Sequence, residues 1–234
     1  MIIDCHTHIL PGIDDGAKDL KTSLEMLKEE SAQGVELIIA TPHFYANQDR
    51  MDNFIARRAT AFEKLKPFLL EEKNLPQIKL GAELAYFAGI SKAEGLEKFC
   101  IEGTNTLLLE MPFCSWDDRI LKEVSSLVND RGFNIVLVHI ERYLGFSGQK
   151  EKLDSLLYIP VYLQVNAESL CQEGFFKKKK SKELISWFET GKVSLMGSDC
   201  HNLSSRLPNL NLGRSKLSKE ALENIDETAE RLTQ

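Results

Sequence analysis

The chain carries little that would take it to a membrane or a nucleic acid. Its 234 residues hold no apolar run near the roughly 20 residues that a bilayer span needs. The start, MIIDCHTH, has neither the basic nor the apolar region of a secretory signal. The expectation is therefore a cytoplasmic protein without membrane insertion. Positive charge is not in excess. The formal net charge is −6, which offers no general attraction to nucleic acid or anionic lipid, and no nucleic-acid partner is expected. Cysteine is sparse and unpatterned: Cys5, Cys100, Cys114, Cys171 and Cys200 form no C-x-x-C pair. That excludes a disulfide framework and a thiolate zinc site, and reads as reduced thiols.

What the chain does have is a hydrophobic content of 43%, enough for one large α/β unit spanning residues 1–234. Short apolar segments alternate with helical ones. Strands are expected at Ile2–Cys5, Val35–Ala40, Gln77–Gly81, Thr106–Leu109, Asn134–Val138, Tyr162–Val165 and Val193–Met196. Helices are expected over Asp19–Gln33, from a cap at Asp49 to about Leu69, near Ser91–Phe99, over Trp116–Asp130 behind a Ser115 cap, over Ser181–Glu189 and over Lys219–Leu232. Gly34, Gly132 and Gly191 are placed to stop helices, and Pro67 is expected to bend or end the second one. The Lys177–Lys180 run reads as a solvated helix start. Strands that are apolar without alternation are buried on both faces, as in a parallel sheet covered by helices. Such a βα repeat gives a barrel or an open doubly wound sheet.

The polar residues decide between the two. His6, His43, Glu83, Glu110, His139 and Asp199 each stand at or just past the C-terminal end of an expected strand, on six of the seven. An open sheet would keep its edge strands too far apart to share one metal cluster, whereas a closed barrel rings all these ends around one mouth. The expected fold is thus α/β, a distorted TIM-like (βα)7 barrel with a metal site at the C-terminal strand ends. His6-Thr7-His8 is an H-x-H pair whose imidazoles share one side of an extended chain. The turn Pro11–Gly16 can bring Asp15 to the mouth, with Asp14 as its rival. His43 follows Pro42, which favours an extended approach. Glu83 and Glu110 abut apolar strands, where a carboxylate is costly unless a cation meets it. Asp199 and His201 form a D-x-H pair. Imidazole and carboxylate without thiolate suit manganese first and iron next, with zinc and magnesium compatible. Arg142 and Arg206 lie close behind His139 and His201, where guanidinium groups could grip phosphate oxygens. Cys200–Arg206 is also a C-x5-R string, the spacing of cysteine-dependent phosphatases, but it lacks glycine and contains His201.

The order H-x-H, D-G, T-P-H, G-A-E, L-E, H-x-E-R-Y and S-D-x-H resembles the PHP (polymerase and histidinol phosphatase) superfamily. Within it the chain is similar to the bacterial metal-dependent protein tyrosine phosphatases of capsular and exopolysaccharide loci, the CpsB type, from Ile3 to about Arg206. The resemblance implies a seven-stranded βα barrel with three divalent metal ions. It implies one ion on His6, His8, Glu83 and Asp199, a second on Glu83, Glu110 and His139, and a third on Asp15, His43 and His201. It implies a phosphomonoesterase in which a hydroxide bridging the metals attacks phosphotyrosine, Arg142 and Arg206 neutralise the transferring group, and Asp199 or His201 assists. The implied partner is a phosphotyrosine protein, the tyrosine-rich tail of a bacterial tyrosine autokinase. A small-molecule phosphatase such as histidinol phosphatase, and a non-catalytic kinase-binding protein, are the alternatives.

Overall fold

The structure is a computed structural model that describes residues 1–172 and 174–234, without the side chains of Phe175 and Phe176. Its strands are β1 (Ile3–Thr7), β2 (Leu37–Ala40), β3 (His43–Phe44), β4 (Gln77–Leu80), β5 (Glu83–Ala85), β6 (Thr106–Glu110), β7 (Asn134–Leu137), β8 (Val161–Asn166) and β9 (Leu195–Gly197). The helices between and after them are α1 (Leu20–Ala32), α2 (Met51–Glu71), α3 (Asp118–Asn129), α4 (Gln149–Leu156), α5 (Phe175–Glu189), α6 (Leu210–Arg214) and α7 (Lys219–Thr233). All strand pairs are parallel, in the orders β1-β2-β4 and β3-β5-β6-β7-β8-β9.

The two sheets are halves of one. Pro42 has no N–H for a ladder, so the second strand breaks between β2 and β3; its neighbour breaks at Gly81–Ala82, between β4 and β5. Pairing runs on across both gaps, through Gly81 N to Ala40 O at 2.8 Å and Glu83 N to Pro42 O at 3.1 Å. The last strand then meets the first: Asp199 N donates to His6 O at 2.8 Å and His8 N to Cys200 O at 3.0 Å. The result is a closed ring of seven parallel strands, the barrel expected from the sequence.

The hydrophobic core divides along the sheet. One cluster, including Met26, Leu27, Phe54, Leu65, Leu109 and Leu137, fills the space between sheet and helices. A second, including Ile3, Leu37, Ile39, Leu108, Val136 and Leu195, is closed by Ala229 and Leu232 of α7. Register assigns this second cluster to the barrel interior: Leu108 pairs with Glu83 and Val136, and Leu195 with Gln164, so all share one face. The register of β1 shifts between Asp4 and Thr7. Such an irregularity re-aims side chains. After it Thr7 pairs with Ala40 on the helix side, and its neighbours His6 and His8 point inward.

Several local expectations are revised. The α2 cap is Arg50 rather than Asp49, whose carboxylate instead accepts from Arg50 N at 2.8 Å and pairs with Arg57. The helix continues past Pro67 to Glu71, since a proline this close to the C-terminal end costs one helical hydrogen bond with little helix left to lose. Asp117, not Ser115, caps α3, accepting from Arg119 N and Ile120 N. Ser91–Phe99 forms two 3-10 turns, Ile90–Lys92 and Leu96–Phe99, rather than one helix. α5 begins at Phe175, six residues early, and Lys177–Lys179 are exposed on its first turns, as the solvated reading required. Among the described residues no helix is long and apolar enough to cross a membrane.

Candidate metal centre

Nine side chains converge at the mouth formed by the C-terminal strand ends: His6, His8, Asp15, His43, Glu83, Glu110, His139, Asp199 and His201. Glu83 is central and buried. Its Oε2 lies 3.1 Å from His6 Nε2, 3.2 Å from His8 Nε2 and 2.9 Å from His43 Nδ1, and its Oε1 2.6 Å from His139 Nε2. Glu110 stands 3.7 Å from the same His139 nitrogen. Asp199 Oδ1 is 3.7 Å from His6 Nε2 and 3.4 Å from His8 Nε2. Asp15, two-thirds exposed, lies 3.4 Å from both His43 Nε2 and His201 Nε2.

Donor atoms gather in three groups: His6, His8 and Asp199; His43, Glu83 and Glu110; and His8, Asp15, His43 and His201. They differ from the ligand sets the resemblance implies in three respects. Glu83 is not in the compact group of His6, His8 and Asp199, His8 also reaches the Asp15 group, and His43 rather than His139 completes the set with Glu83 and Glu110.

The imidazoles are held so that lone pairs point inward. His8 Nδ1 donates to Asp14 Oδ2 at 2.8 Å, His6 Nδ1 to Gln164 Oε1 at 3.3 Å, and His201 Nδ1 to the Asp199 carbonyl at 2.9 Å. Each turns its Nε2 toward the centre, where loss of that proton leaves a lone pair for a cation. His6 Nε2 and His8 Nε2 lie only 3.2 Å apart. Two lone pairs at that distance repel unless a proton or cation lies between them. His139 Nδ1, Asp199 Oδ1 and His201 Nε2 are buried with no hydrogen-bond partner, a state that proteins avoid without compensation. The donor set thus fits divalent cations.

Ionisation follows from the same packing. Burial pushes Glu83 and Asp199 toward the neutral form, but the surrounding histidines outweigh it and hold both below the usual carboxylate range. Burial lowers His6 and His8, and Glu83, Asp199 and Asp14 more than reverse it. His139 is pushed down to about 4 by burial, and His201 to about 4 by burial and by His8. Arg142 and Arg206 both reach Asp199 Oδ2, Arg206 at 2.7 Å, and stand one-third exposed at the rim.

Three parts of the site escaped the sequence reading. Asp14, weighed there only as a rival to Asp15, orients rather than joins: it accepts from His8 Nδ1, from His43 N at 3.0 Å and from Gly16 N at 2.9 Å. Gly16 is obligatory, because a Cβ there would sit 2.2 Å from His8 O. On β8, Gln164 Oε1 also accepts from His139 N at 2.8 Å, Gln164 Nε2 donates to Asn166 Oδ1 at 3.0 Å, and Asn166 Nδ2 to Asp199 Oδ2 at 2.7 Å. Two amides alternating in an apolar strand were the available signal. Finally, His139 and Asp199 adopt left-handed backbone, with φ of 37° and 53°, a conformation non-glycine residues rarely take and one concentrated at functional sites.

The C-x5-R string does not build a thiolate loop. Cys200 is fully buried, with Sγ 3.6 Å from Glu30 Oε1, and burial and that carboxyl push its thiol far up. The amides of Ser204, Ser205 and Arg206 turn to Asn202 Oδ1 rather than toward the mouth.

Comparison with known proteins agrees with this architecture. The family described as capsular polysaccharide synthesis, CpsB/CapC, matches residues 2–231. The tyrosine-protein phosphatase CpsB of Streptococcus agalactiae is 30% identical over 223 residues, covering 88% of this chain and 86% of that one. The tyrosine-protein phosphatase YwqE of Bacillus subtilis is 28% identical over 209 residues, covering 88% and 79%. A solved structure from work on YwqE of Bacillus subtilis and CpsB of Streptococcus pneumoniae, described as metal-dependent tyrosine phosphatases, superposes with a TM-score of 0.85 at 26% identity, over 99% of this chain and 94% of the other. The histidinol phosphate phosphatase of Lactococcus lactis, solved with zinc, L-histidinol and phosphate, shares the fold at a TM-score of 0.58 and 14% identity, over 94% and 93% of the two chains.

Proposed function

The chain belongs to the CpsB/CapC family, and from that premise we propose that it is a metal-dependent phosphatase that hydrolyses phosphotyrosine on protein. The observation that carries the reading is the convergence of imidazole and carboxylate atoms at one mouth, with Asp199 Oδ1 and His201 Nε2 buried there without a hydrogen-bond partner. We assign His6, His8, Asp15, His43, Glu83, Glu110, His139, Asp199 and His201 to three divalent ions, manganese first among them. Bound divalent ions supply Lewis acidity toward phosphoryl oxygens and lower the pKa of water. The protein's own groups do the rest. Asp14, Gln164 and the Asp199 carbonyl lock the tautomers of His8, His6 and His201. Arg142 and Arg206, poised at the rim on Asp199, take the non-bridging oxygens and neutralise charge as the ester breaks. His201 is neutral and Asp199 ionised at pH 7, so both serve as ligands with no proton to donate. A tyrosine leaving group, with a pKa of about 10, departs without a strong general acid.

We further propose that the substrate is the tyrosine-rich tail of a bacterial tyrosine autokinase governing capsule or exopolysaccharide synthesis, and that the chain works in the cytoplasm as one domain over residues 1–234. The family description and the five unpaired cysteines support these readings. The test is turnover of a phosphotyrosine peptide by the metal-loaded protein, with and without chelator, beside His43→Ala and Glu110→Ala. Chelation and either substitution are expected to cut kcat/KM by about 100-fold or more. Preference for histidinol phosphate over the peptide would move the assignment to a small-molecule phosphatase. Chelator-resistant activity would remove the metal assignment.

A further inference from the structure

The mouth is not symmetric. Its two arginines follow β7 and β9, and the wall opposite them, built by the segments after β3, β5 and β6, has a different character. There a groove of about 350 Å³ is lined by Tyr45, Tyr86, Phe87, Glu110, Pro112 and Phe113 among others. It is continuous with the candidate centre, because Glu110 belongs to both and Tyr45 OH lies 3.4 Å from His43 Nδ1. Phe113 is 60% exposed, one of the few large apolar side chains so placed. It is nevertheless not loose: its ring centroid lies 5.3 Å from that of buried Tyr143, which in turn packs 5.2 Å from Trp116. Tyr143 is itself fixed, its hydroxyl accepting from Met111 N at 3.1 Å. Across the groove Tyr86 is pinned by its hydroxyl to Glu123 of α3 at 3.0 Å.

We propose that this aromatic wall is the subsite for the aryl ring of the substrate ester, with Phe113 as the specificity-determining residue; the inference rests on the phosphatase reading above. A phosphate gripped by arginines on one side presents its ester oxygen to the other side, where the groove begins. A ring seated there meets rigid aromatic surfaces whose own ordering is already complete, so little conformational entropy is lost on binding. An alkyl phosphate such as phosphoserine has nothing to place against this wall, so the groove would separate tyrosine from serine esters by the ring alone.

Two non-hydrolysable probes share a head group and differ by the ring: benzylphosphonate and methylphosphonate. Their Ki values are to be measured on the metal-loaded wild type and on Phe113→Ala, whose exposed site leaves the fold intact. The wild type is expected to bind benzylphosphonate about tenfold more tightly or better, and Phe113→Ala to lose most of that preference with methylphosphonate unchanged. No ring preference in the wild type, or a preference that survives in Phe113→Ala, would overturn the proposal while leaving the phosphatase reading in place. If neither phosphonate inhibits the metal-loaded protein, the phosphate-binding reading fails first and this inference falls with it.

Discussion

Cys200 stands between two residues of the candidate centre, Asp199 and His201, and takes no part in it. The strand direction that sends Asp199 inward sends the next side chain outward, so the thiol lies in a sealed space against Glu30. A nucleophilic thiolate needs the opposite: exposure and positive surroundings that lower its pKa. Cys200→Ser is therefore expected to keep kcat/KM toward a phosphotyrosine peptide within about threefold of the parent, since a hydroxyl fits the space and can also donate to Glu30. Metal content measured on the same sample makes the result decisive. A Cys200→Ser protein with a full complement of metal and almost no activity would restore the C-x5-R loop as the catalytic element. Asp14 teaches a related lesson at this scale. Adjacent aspartates in one turn divide the work, Asp15 facing the centre and Asp14 holding the histidines that face it.

At the scale of elements, the seam where α1 packs against β1 and β9 carries a buried carboxyl pair. Asp4 and Glu30 are both fully buried, and neither Asp4 Oδ2 nor Glu30 Oε2 has a hydrogen-bond donor. Burial, then the Asp4 charge, hold Glu30 well above the usual carboxylate range. The folded protein therefore binds a proton that the unfolded chain, with a glutamate pKa of about 4.3, has released. Stability is lost as pH rises from that unfolded value through the folded one. Glu30→Gln supplies a neutral amide donor to Asp4 and removes the dependence. Its Tm is expected to exceed that of the wild type by about 3 °C or more at pH 8, with the gap closing toward pH 5. Parallel Tm curves between pH 5 and 9 would show that the pair shares no such proton.

Elements were also where the sequence was most and least readable. Short apolar strands ending in His43, Glu83, Glu110 and His139 are legible because burial on both faces leaves only the strand end for a polar group. The ring of seven followed from that placement. What could not be read is anything that depends on a partner strand. The register shift that turns His6 and His8 inward, the breaks at Pro42 and Gly81, and the Gln164–Asn166 relay are all properties of pairs. The helix Gln149–Leu156 was missed because its sequence, QKEKLDSL, buries only one narrow apolar stripe.

For the molecule as a whole, the candidate centre is a closure. Its side chains come from β1, β3, β5, β6, β7 and β9 or the turns after them, so any ion they share ties together strands on every side of the ring. Without a cation the same geometry opposes itself: burial, and then the charge of neighbouring Glu83, raise the pKa of Glu110, and His6 and His8 bring two imidazole nitrogens to 3.2 Å. Ions that bind the native state and not the unfolded chain stabilise it by mass action, about 2.7 kcal/mol when present at 100 times their dissociation constant. For a chain of this length that corresponds to about 5–10 °C in Tm. Chelation is thus expected to lower Tm by this amount while the far-UV circular dichroism stays native, because the apolar clusters on both faces of the sheet contain no ligand atoms. Calorimetry with and without EDTA, followed by titration of manganese back into the stripped protein, measures the effect directly. A stripped protein that melts where the loaded one does would mean that the ions do not join the strands, and that the nine side chains were brought together for some other reason.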